Sequence, residues 1–164
     1  MKMFLYLVLI GVGVGIFVGV LAFPSIFSHR GSKGEQIITI GGKEFRVEIA
    51  DTFASRARGL SGHAPLAEDE GILFIFDAPG NYGFWMKGMK FPIDIVWIRG
   101  DKVVGVSENL PVPSSMLDFK TYYPPEPVYP VRGEISRGAD KVLEVKAGAV
   151  EKYGFKIGDM VTHR

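Results

Sequence analysis

The segment K-E-F-R-V-E-I, residues 43–49, alternates apolar and charged side chains along its whole length. In an extended chain, Phe45, Val47 and Ile49 fall on one face and the charged residues fall on the other. This period of two predicts a β-strand with one buried face. The preceding residues 36–40 are also β-prone, and Gly41-Gly42 between the two segments is typical of a tight turn. The folded part of the chain is therefore predicted to begin with a β-hairpin.

Further short β-prone runs follow this hairpin, and turn residues separate them. The runs are Ile72–Phe76, Phe84–Met86, Ile93–Ile98, Lys102–Val106, Lys141–Lys146 and Met160–Thr162. A short helix is predicted over Thr52–Arg58 with Asp51 as its cap, and a helical turn over Ala147–Tyr153. We therefore predict an all-β domain over residues 35–164, a small antiparallel sandwich or barrel with one or two short helices.

Two segments between these runs are predicted to lack regular structure. Asp77–Gly80 contains Pro79-Gly80 and predicts a turn. Leu110–Pro130 is dense in proline and predicts a long loop. Long loops in compact domains often bind ligands or close over them, although a passive insertion is an equal alternative.

The N-terminus has the composition of a membrane segment. Residues 4–23 are apolar and long enough to cross a bilayer as a helix. We predict a transmembrane anchor within residues 1–28 and a flexible linker over residues 29–34. A cleaved signal peptide is the alternative, with Val20-Leu21-Ala22 as the cleavage site and a secreted domain as the result. Basic residues on both sides leave the orientation open.

Glycines recur along this apolar segment at a spacing close to one helical turn. Gly11, Gly15 and Gly19 would line one face of a helix. Small residues on such a face let two membrane helices approach closely, which predicts a homodimer. The alternative is that glycine is simply common in membrane helices.

Composition and missing motifs exclude several functions. A formal net charge of +1 and the absence of a basic stripe argue against nucleic-acid binding. The chain has no cysteine, and its three histidines form no metal-binding motif, so we predict neither a metal nor a cofactor. Phosphate-binding glycine loops are absent from the soluble part. A serine hydrolase would depend on His63 alone.

Four motifs remain, and they occur in a fixed order. They are R-A-R-G-L at 56–60, G-I-L-F-I-F at 71–76, F-W-M-K at 84–87 with P-I-D at 92–94, and V-L-E-V at 142–145 with Gly148 and Gly158-Asp159. Together they resemble the family called domain of unknown function 192. Gly88-Met89 departs from that pattern, which has Asn-Thr there. The resemblance implies an all-β, sandwich-like fold behind a signal or anchor, with the domain outside the cytoplasm, and it implies no activity.

The charged residues of these motifs are the candidates for a site. Arg58, Lys87 and Asp94 lie among bulky apolar neighbours and predict either a buried ion-pair network or a cleft for an anionic ligand. In the second case Trp85 would stack on a sugar or another ring. Tyr122 and Tyr123 are secondary candidates for the same role, and Trp97 is more typical of a core residue.

Three functions follow from these candidates. The first is a non-enzymatic binding domain tethered at the membrane, with an envelope saccharide, peptide or protein as its partner. The second is an envelope-polymer hydrolase or lyase in which Asp94 acts with Lys87 or Arg58. Glu144 is a second carboxyl by type only, and its alternation with Leu143 predicts an outward side chain. The third is a scaffold that dimerises through the glycine face.

Overall fold

The computed structural model describes residues 35–115, 120–125 and 138–164. Within them the chain forms two short helices, α1 (Phe53–Arg58) and α2 (Ala149–Tyr153). The strands are β1 (Gln36–Ile40), β2 (Lys43–Ala50), β3 (Glu70–Gly80), β4 (Phe84–Trp85), β5 (Ile93–Arg99), β6 (Lys102–Leu110), β7 (Thr121–Tyr122), β8 (Ala139–Lys146) and β9 (Val161–His163). We predicted an all-β domain with one or two short helices, and the described chain is mostly β with two short helices.

The N-terminal predictions fall outside this description. The anchor within residues 1–28, the linker over 29–34 and the glycine face of Gly11, Gly15 and Gly19 all lie outside the described residues. In the ranges that the structure does describe, no helix has the length and apolar character needed to cross a membrane.

Seven strands form one curled sheet, a half-barrel with the order β6-β5-β8-β3-β2-β1-β9. Its two edge strands approach each other at one end, where Lys102 bridges to Met160. The backbone N–H of Val161 also donates to the carbonyl of Asp101 at 2.8 Å, and that of Val103 donates to Asp159 at 2.9 Å. Strands β4 and β7 pair separately as a two-stranded sheet.

The prediction of a purely antiparallel sandwich or barrel is wrong in one pairing. Strands β2 and β3 run parallel, with Val47 opposite Gly71 and Ile49 opposite Leu73. Parallel neighbours need a crossover connection of a dozen or more residues. Residues 51–69, which contain α1, supply that connection. The crossover matters for the site because it places α1 against the sheet.

Both faces of the sheet centre are buried, and each packs against a different element. The α2 face carries buried residues that pack with α2: Phe45, Val47, Ile49, Leu73, Val96, Leu143 and Val145. The opposite face, here called the cleft face, carries Ile72, Phe74, Ile95, Trp97 and Val142 and packs with β4. Alternation along β5 and β8 assigns neighbouring residues to opposite faces. A polar side chain on either face is therefore enclosed unless a groove reaches it.

Several local predictions need correction. Thr52, and not Asp51, caps α1, because its hydroxyl accepts the backbone N–H of Ser55 at 3.1 Å. Asp77–Gly80 continues β3 across an irregular step and does not form a separate turn. The proline-rich segment contains β7, so it is not entirely irregular. Thr121 and Tyr122 both have high β-propensity and lie between prolines, so these two residues can pair with a neighbouring strand.

Candidate functional site

Helix α1 presents two arginines beside the cleft face. Thr52 and Ser55 cap its start reciprocally, since the Ser55 hydroxyl also accepts the backbone N–H of Thr52 at 3.0 Å. At its end, Gly59 has a φ of 48° and lies over the ring of Phe74. A Cβ at Gly59 would lie 3.3 Å from that ring, so glycine lets the chain turn close against the sheet.

Arg56 is fixed in place by backbone carbonyls. Its Nη1 donates to the carbonyl of Asp51 at 2.7 Å and to that of Ile75 at 2.8 Å. The guanidinium also lies over the ring of Phe76, 5.1 Å from the centroid. Because no carboxylate takes part in these contacts, Arg56 keeps a net positive charge at the edge of the cleft.

Arg58 is held only loosely. Its Nη2 lies 3.3 Å from Oε1 of Glu48, and the two side chains are 60% and 38% exposed. An exposed pair of this kind contributes little to stability, typically about 0–1 kcal/mol. The guanidinium can therefore exchange Glu48 for an anionic ligand group at small cost.

Strand β4 divides its two aromatic residues between core and solvent. Phe84 is buried, with its ring edge-on to Phe74 at 4.8 Å and to Trp97 at 5.4 Å. Trp85 points the other way and is 57% exposed. The pairing of Phe84 with Tyr122 and of Trp85 with Thr121 holds the strand in place. Trp85 thus presents an aromatic surface at the rim of the cleft.

Lys87 lies in a turn that follows β4. The backbone N–H of Met89 donates to the carbonyl of Met86 at 3.1 Å, and the N–H of Gly62 donates to the carbonyl of Gly88 at 3.0 Å. Gly88 has a φ of 73°, a left-handed conformation that glycine and asparagine both adopt. A Cβ at Gly88 would come within 2.2 Å of the Ser61 Oγ, so an asparagine there would displace that hydroxyl. The departure from the Asn-Thr pattern therefore fits a local packing requirement.

Glu144 lies at the centre of the sheet on the cleft face and is only 5% exposed. Its neighbours in the ladder are Ile72 on β3 and Ile95 on β5, both apolar and buried. Burial raises the pKa of its carboxyl from the ordinary 4.5 to about 8. At neutral pH the group is therefore mostly protonated, a hydroxyl donor with a carbonyl acceptor. The expectation of an outward, solvated side chain is wrong, because both faces of β8 are covered.

These elements surround one cleft of about 340 Å³. Its aromatic and charged lining consists of Phe53, Arg56, Arg58, Phe74, Phe76, Tyr82, Phe84, Trp85, Lys87 and Glu144. Arg56, Arg58 and Lys87 supply positive charge, and Glu144 is the one carboxyl on the described lining. Phe53 is 85% exposed at the rim. The arrangement combines an apolar wall, three cations and a neutral acid, which suits an anionic ligand with a ring.

The structure brings three of the four main candidates together. Arg58, Trp85 and Lys87 line the cleft, whereas Asp94 does not. Tyr122 is half-buried and packs on the aromatic cluster behind the cleft. Tyr123 is exposed and lies against Gly83, outside the lining.

Asp94 is held by hydrogen bonds inside the fold. It is fully buried on the α2 face, and its two oxygens accept separate backbone N–H groups. Oδ1 accepts from Asn109 at 2.7 Å, and Oδ2 accepts from Val150 at 2.9 Å. Asp94 thus joins β5, β6 and α2. With no access to the cleft, it neither pairs with Arg58 and Lys87 nor reaches a ligand bound there.

Several site residues were missed from sequence. Phe53, Arg56, Ser61, Tyr82 and Glu144 all line the cleft. A signal for Glu144 existed, because V-L-E-V places one acid inside an otherwise apolar run, as in strands buried on both faces. For Tyr82 and Ser61 no local pattern gives such a signal. Across the described ranges, no cluster of three histidine or acidic side chains suits a metal ion.

Comparison with known proteins assigns this domain to a family. Residues 36–163 match the model of the family DUF192, described as "Uncharacterized ACR". The chain belongs to the DUF192 family. The resemblance seen in the sequence motifs is therefore confirmed, and it covers the cleft and both faces of the sheet. No curated protein matches the chain.

Solved structures share the DUF192 fold. A protein of unknown function from Novosphingobium aromaticivorans DSM 12444 has 28% identity and a TM-score of 0.62, with 77% of this chain and 83% of that chain covered. A putative transcription regulator from Sinorhizobium meliloti 1021 has 24% identity and a TM-score of 0.64, with 81% and 96% covered. At 24% identity the likeness shows the fold alone.

Proposed function

We propose that this DUF192 protein is a non-enzymatic binding domain, tethered by residues 4–23 to a membrane and facing the cell envelope. Its cleft binds an anionic, ring-bearing group of an envelope saccharide, peptide or partner protein. The single observation that carries the proposal is the cleft of Arg56, Arg58 and Lys87 around an aromatic wall.

The charge balance of the cleft supports an anionic ligand. Arg56 is bound by carbonyls, Arg58 has only an exposed pairing with Glu48, and Lys87 lies on the same rim. Glu144 is largely uncharged at neutral pH because burial raises its pKa to about 8. A cationic ligand would meet Arg56, whose described contacts include no carboxylate, and no ionised acid on the described lining.

The size and wall of the cleft support a small ligand with a flat or apolar face. Ligand pockets commonly range from about 300 to 1,000 Å³, and this cleft of about 340 Å³ lies at the lower end. Phe53 and Trp85 present their rings at the rim. Rigid aromatic side chains give large contact area for little lost conformational freedom.

The number of carboxyl groups on the described lining of the cleft favours ligand binding over hydrolysis. Glycoside hydrolysis of the common kind needs two carboxyl groups on either side of one bond. Among the described lining residues, Glu144 is the single carboxyl, and Asp94 is buried on the opposite face of the sheet. The alternative in which Asp94 works with Lys87 or Arg58 therefore lacks a shared cavity.

The test uses the two tryptophans of the full chain, purified in detergent and labelled with ¹⁵N. Trp85 lies on the cleft rim, whereas Trp97 is fully buried and serves as an internal control. We expect glucuronate at millimolar concentration to shift the Trp85 indole signal saturably, and neutral glucose to leave it in place. The glucuronate response should weaken with added salt, because exposed charges are screened.

A matched pair of lysine variants sharpens this test. Lys87→Gln removes a cation from the cleft and should reduce the glucuronate response severalfold. Lys90→Gln is the control, because Lys90 is also exposed but donates to the carbonyl of Gly62 and does not line the cleft. Equal Trp85 responses to glucose and glucuronate, or equal losses in both variants, would contradict the proposal.

A further inference from the structure

Glu144 is a buried polar group that the fold does not use. Although 5% exposed, it has no hydrogen bond or ion pair with any other described residue. Asp94, buried in the same domain, has a backbone donor at each oxygen. Among the described residues, the one enclosed side-chain atom without a hydrogen-bond partner is Nη1 of Arg99, so the oxygens of Glu144 are not sealed from the cleft.

The cleft reaches this carboxyl. Glu144 lies on its lining, and Ile72 and Ile95 cover it within the sheet. The charged groups that face the same cleft are Arg56 and Arg58 from α1 and Lys87 from the turn after β4. Arg58 pairs with Glu48, and Arg56 donates to the carbonyls of Asp51 and Ile75. A ligand in the cleft can therefore reach the Glu144 carboxyl without displacing a protein group from it.

The chemistry of that ligand follows from the state of the carboxyl. A protonated carboxyl donates through its hydroxyl and accepts through its carbonyl. The secondary amide of an N-acyl group is planar and trans, so its C=O and N–H point in opposite directions and only one of them can meet the carboxyl. Its carbonyl oxygen accepts from the Glu144 hydroxyl. A ligand ammonium group would also satisfy an ionised carboxyl, but the three cations around the cleft disfavour it. The carbonyl oxygen of an amide thus complements the hydroxyl of the protonated Glu144 carboxyl.

We propose that Glu144 hydrogen-bonds to an amide of the ligand while Arg58 and Lys87 bind its anionic group, so that the cleft recognises an acidic, N-acylated sugar. This inference rests on the proposed function and names its ligand class. The exposed ring of Trp85 packs on the apolar face of the sugar. The volume of the cleft, about 340 Å³, suits one such ring with its substituents.

Three sugar probes separate the two polar groups. N-acetylmuramate carries an amide and a carboxylate, glucuronate carries the carboxylate without the amide, and N-acetylglucosamine carries the amide without the carboxylate. The full chain in detergent is titrated with each at pH 7, with the Trp85 indole signal as the readout and Trp97 as the control. We expect N-acetylmuramate to bind about tenfold more tightly than glucuronate, and N-acetylglucosamine to bind most weakly.

Two variants of Glu144 test the role of the carboxyl itself. Glu144→Gln keeps a donor and an acceptor and should preserve the preference for N-acetylmuramate. Glu144→Leu removes both and should bind N-acetylmuramate and glucuronate equally, while the Trp97 signal shows that the core is intact.

Each result separates this inference from the proposed function. Equal binding of N-acetylmuramate and glucuronate to the unmodified chain would overturn the amide assignment and leave the anionic cleft standing. So would an unchanged preference in Glu144→Leu. If no acidic sugar moves the Trp85 signal, both the inference and the proposed function fail.

Discussion

Two buried carboxyls lie on opposite faces of the sheet and differ in their hydrogen bonds. Asp94 binds two backbone N–H groups and joins three elements of the fold. Glu144 binds none in the described structure and borders the cleft. A buried carboxyl group therefore does not always serve to stabilise the fold. Whether the protein supplies hydrogen-bond donors to the carboxyl is the more informative observation.

We expect Asp94→Asn to destabilise the protein. An asparagine offers one acceptor oxygen where Asp94 offers two, and its amide would face a backbone N–H. Hydrogen bonds to a charged group contribute about 1.5–3 kcal/mol each, so Tm should fall by several degrees. Thermal unfolding of the full chain measures the change. An unchanged Tm, with the glucuronate response lost instead, would return Asp94 to the candidate site.

Only some residues of the candidate site could be predicted from the sequence. Arg58, Trp85 and Lys87 were found because they are charged or aromatic residues within family motifs. Asp94 shares those features, and only its hydrogen bonds across the sheet distinguish it. Glu144 was predicted to face solvent because it alternates with Leu143 along the strand. Alternation predicts the face of the sheet on which a side chain lies, but it does not predict whether another element covers that face.

At the scale of elements, α1 and β4 form the site because the sheet holds them on one face. Local sequence predicted both elements, as the helix over Thr52–Arg58 and the β-prone run Phe84–Met86. It did not predict that β2 and β3 are parallel, because the direction of pairing depends on the crossover and not on the strands. That crossover is what brings α1 to the cleft.

We expect Thr52→Ala to weaken both α1 and ligand binding. The Thr52 hydroxyl accepts the backbone N–H of Ser55, and loss of such a cap costs about 1 kcal/mol. The two arginines of α1 would then be less well ordered, and the Trp85 response to glucuronate should weaken. Thr52→Ser keeps the hydroxyl and is the control. If the two variants behave alike, the cap does not order the site.

At the level of the whole molecule, the chain combines a DUF192 domain with an apolar N-terminal segment that is predicted to enter a membrane. The domain is established by the match over residues 36–163. The apolar residues 4–23 and their glycine face remain predictions from composition. Tethering would concentrate the cleft at a membrane surface, and pairing of two chains would present two clefts together.

We expect Gly15→Leu to abolish crosslinked dimers of the full chain in membranes. A leucine at the middle of the glycine face would keep two helices apart. Crosslinking in native membranes measures the dimer. Val14→Leu, a change beside this face, is the control and should leave dimers intact. Dimers that persist in Gly15→Leu would exclude association through this face.

The most direct test of the account is the effect of Glu144→Gln on Tm at two pH values. The folded state holds a proton on Glu144 up to a pKa of about 8, whereas the unfolded chain loses it near 4.5. Stability therefore falls as pH rises between these values, because the folded state binds more protons there. Glutamine has the same shape and does not titrate, so it escapes this loss.

If Glu144 is kept for a ligand and not for the fold, Glu144→Gln should stabilise the protein by about 3 kcal/mol at pH 7, or about 10 °C in Tm. The gain should shrink to about 2 °C at pH 5, where both states hold the proton for more of the time. A variant with a lower Tm than the unmodified chain at pH 7 would contradict the account, because Glu144 would then be a structural residue like Asp94.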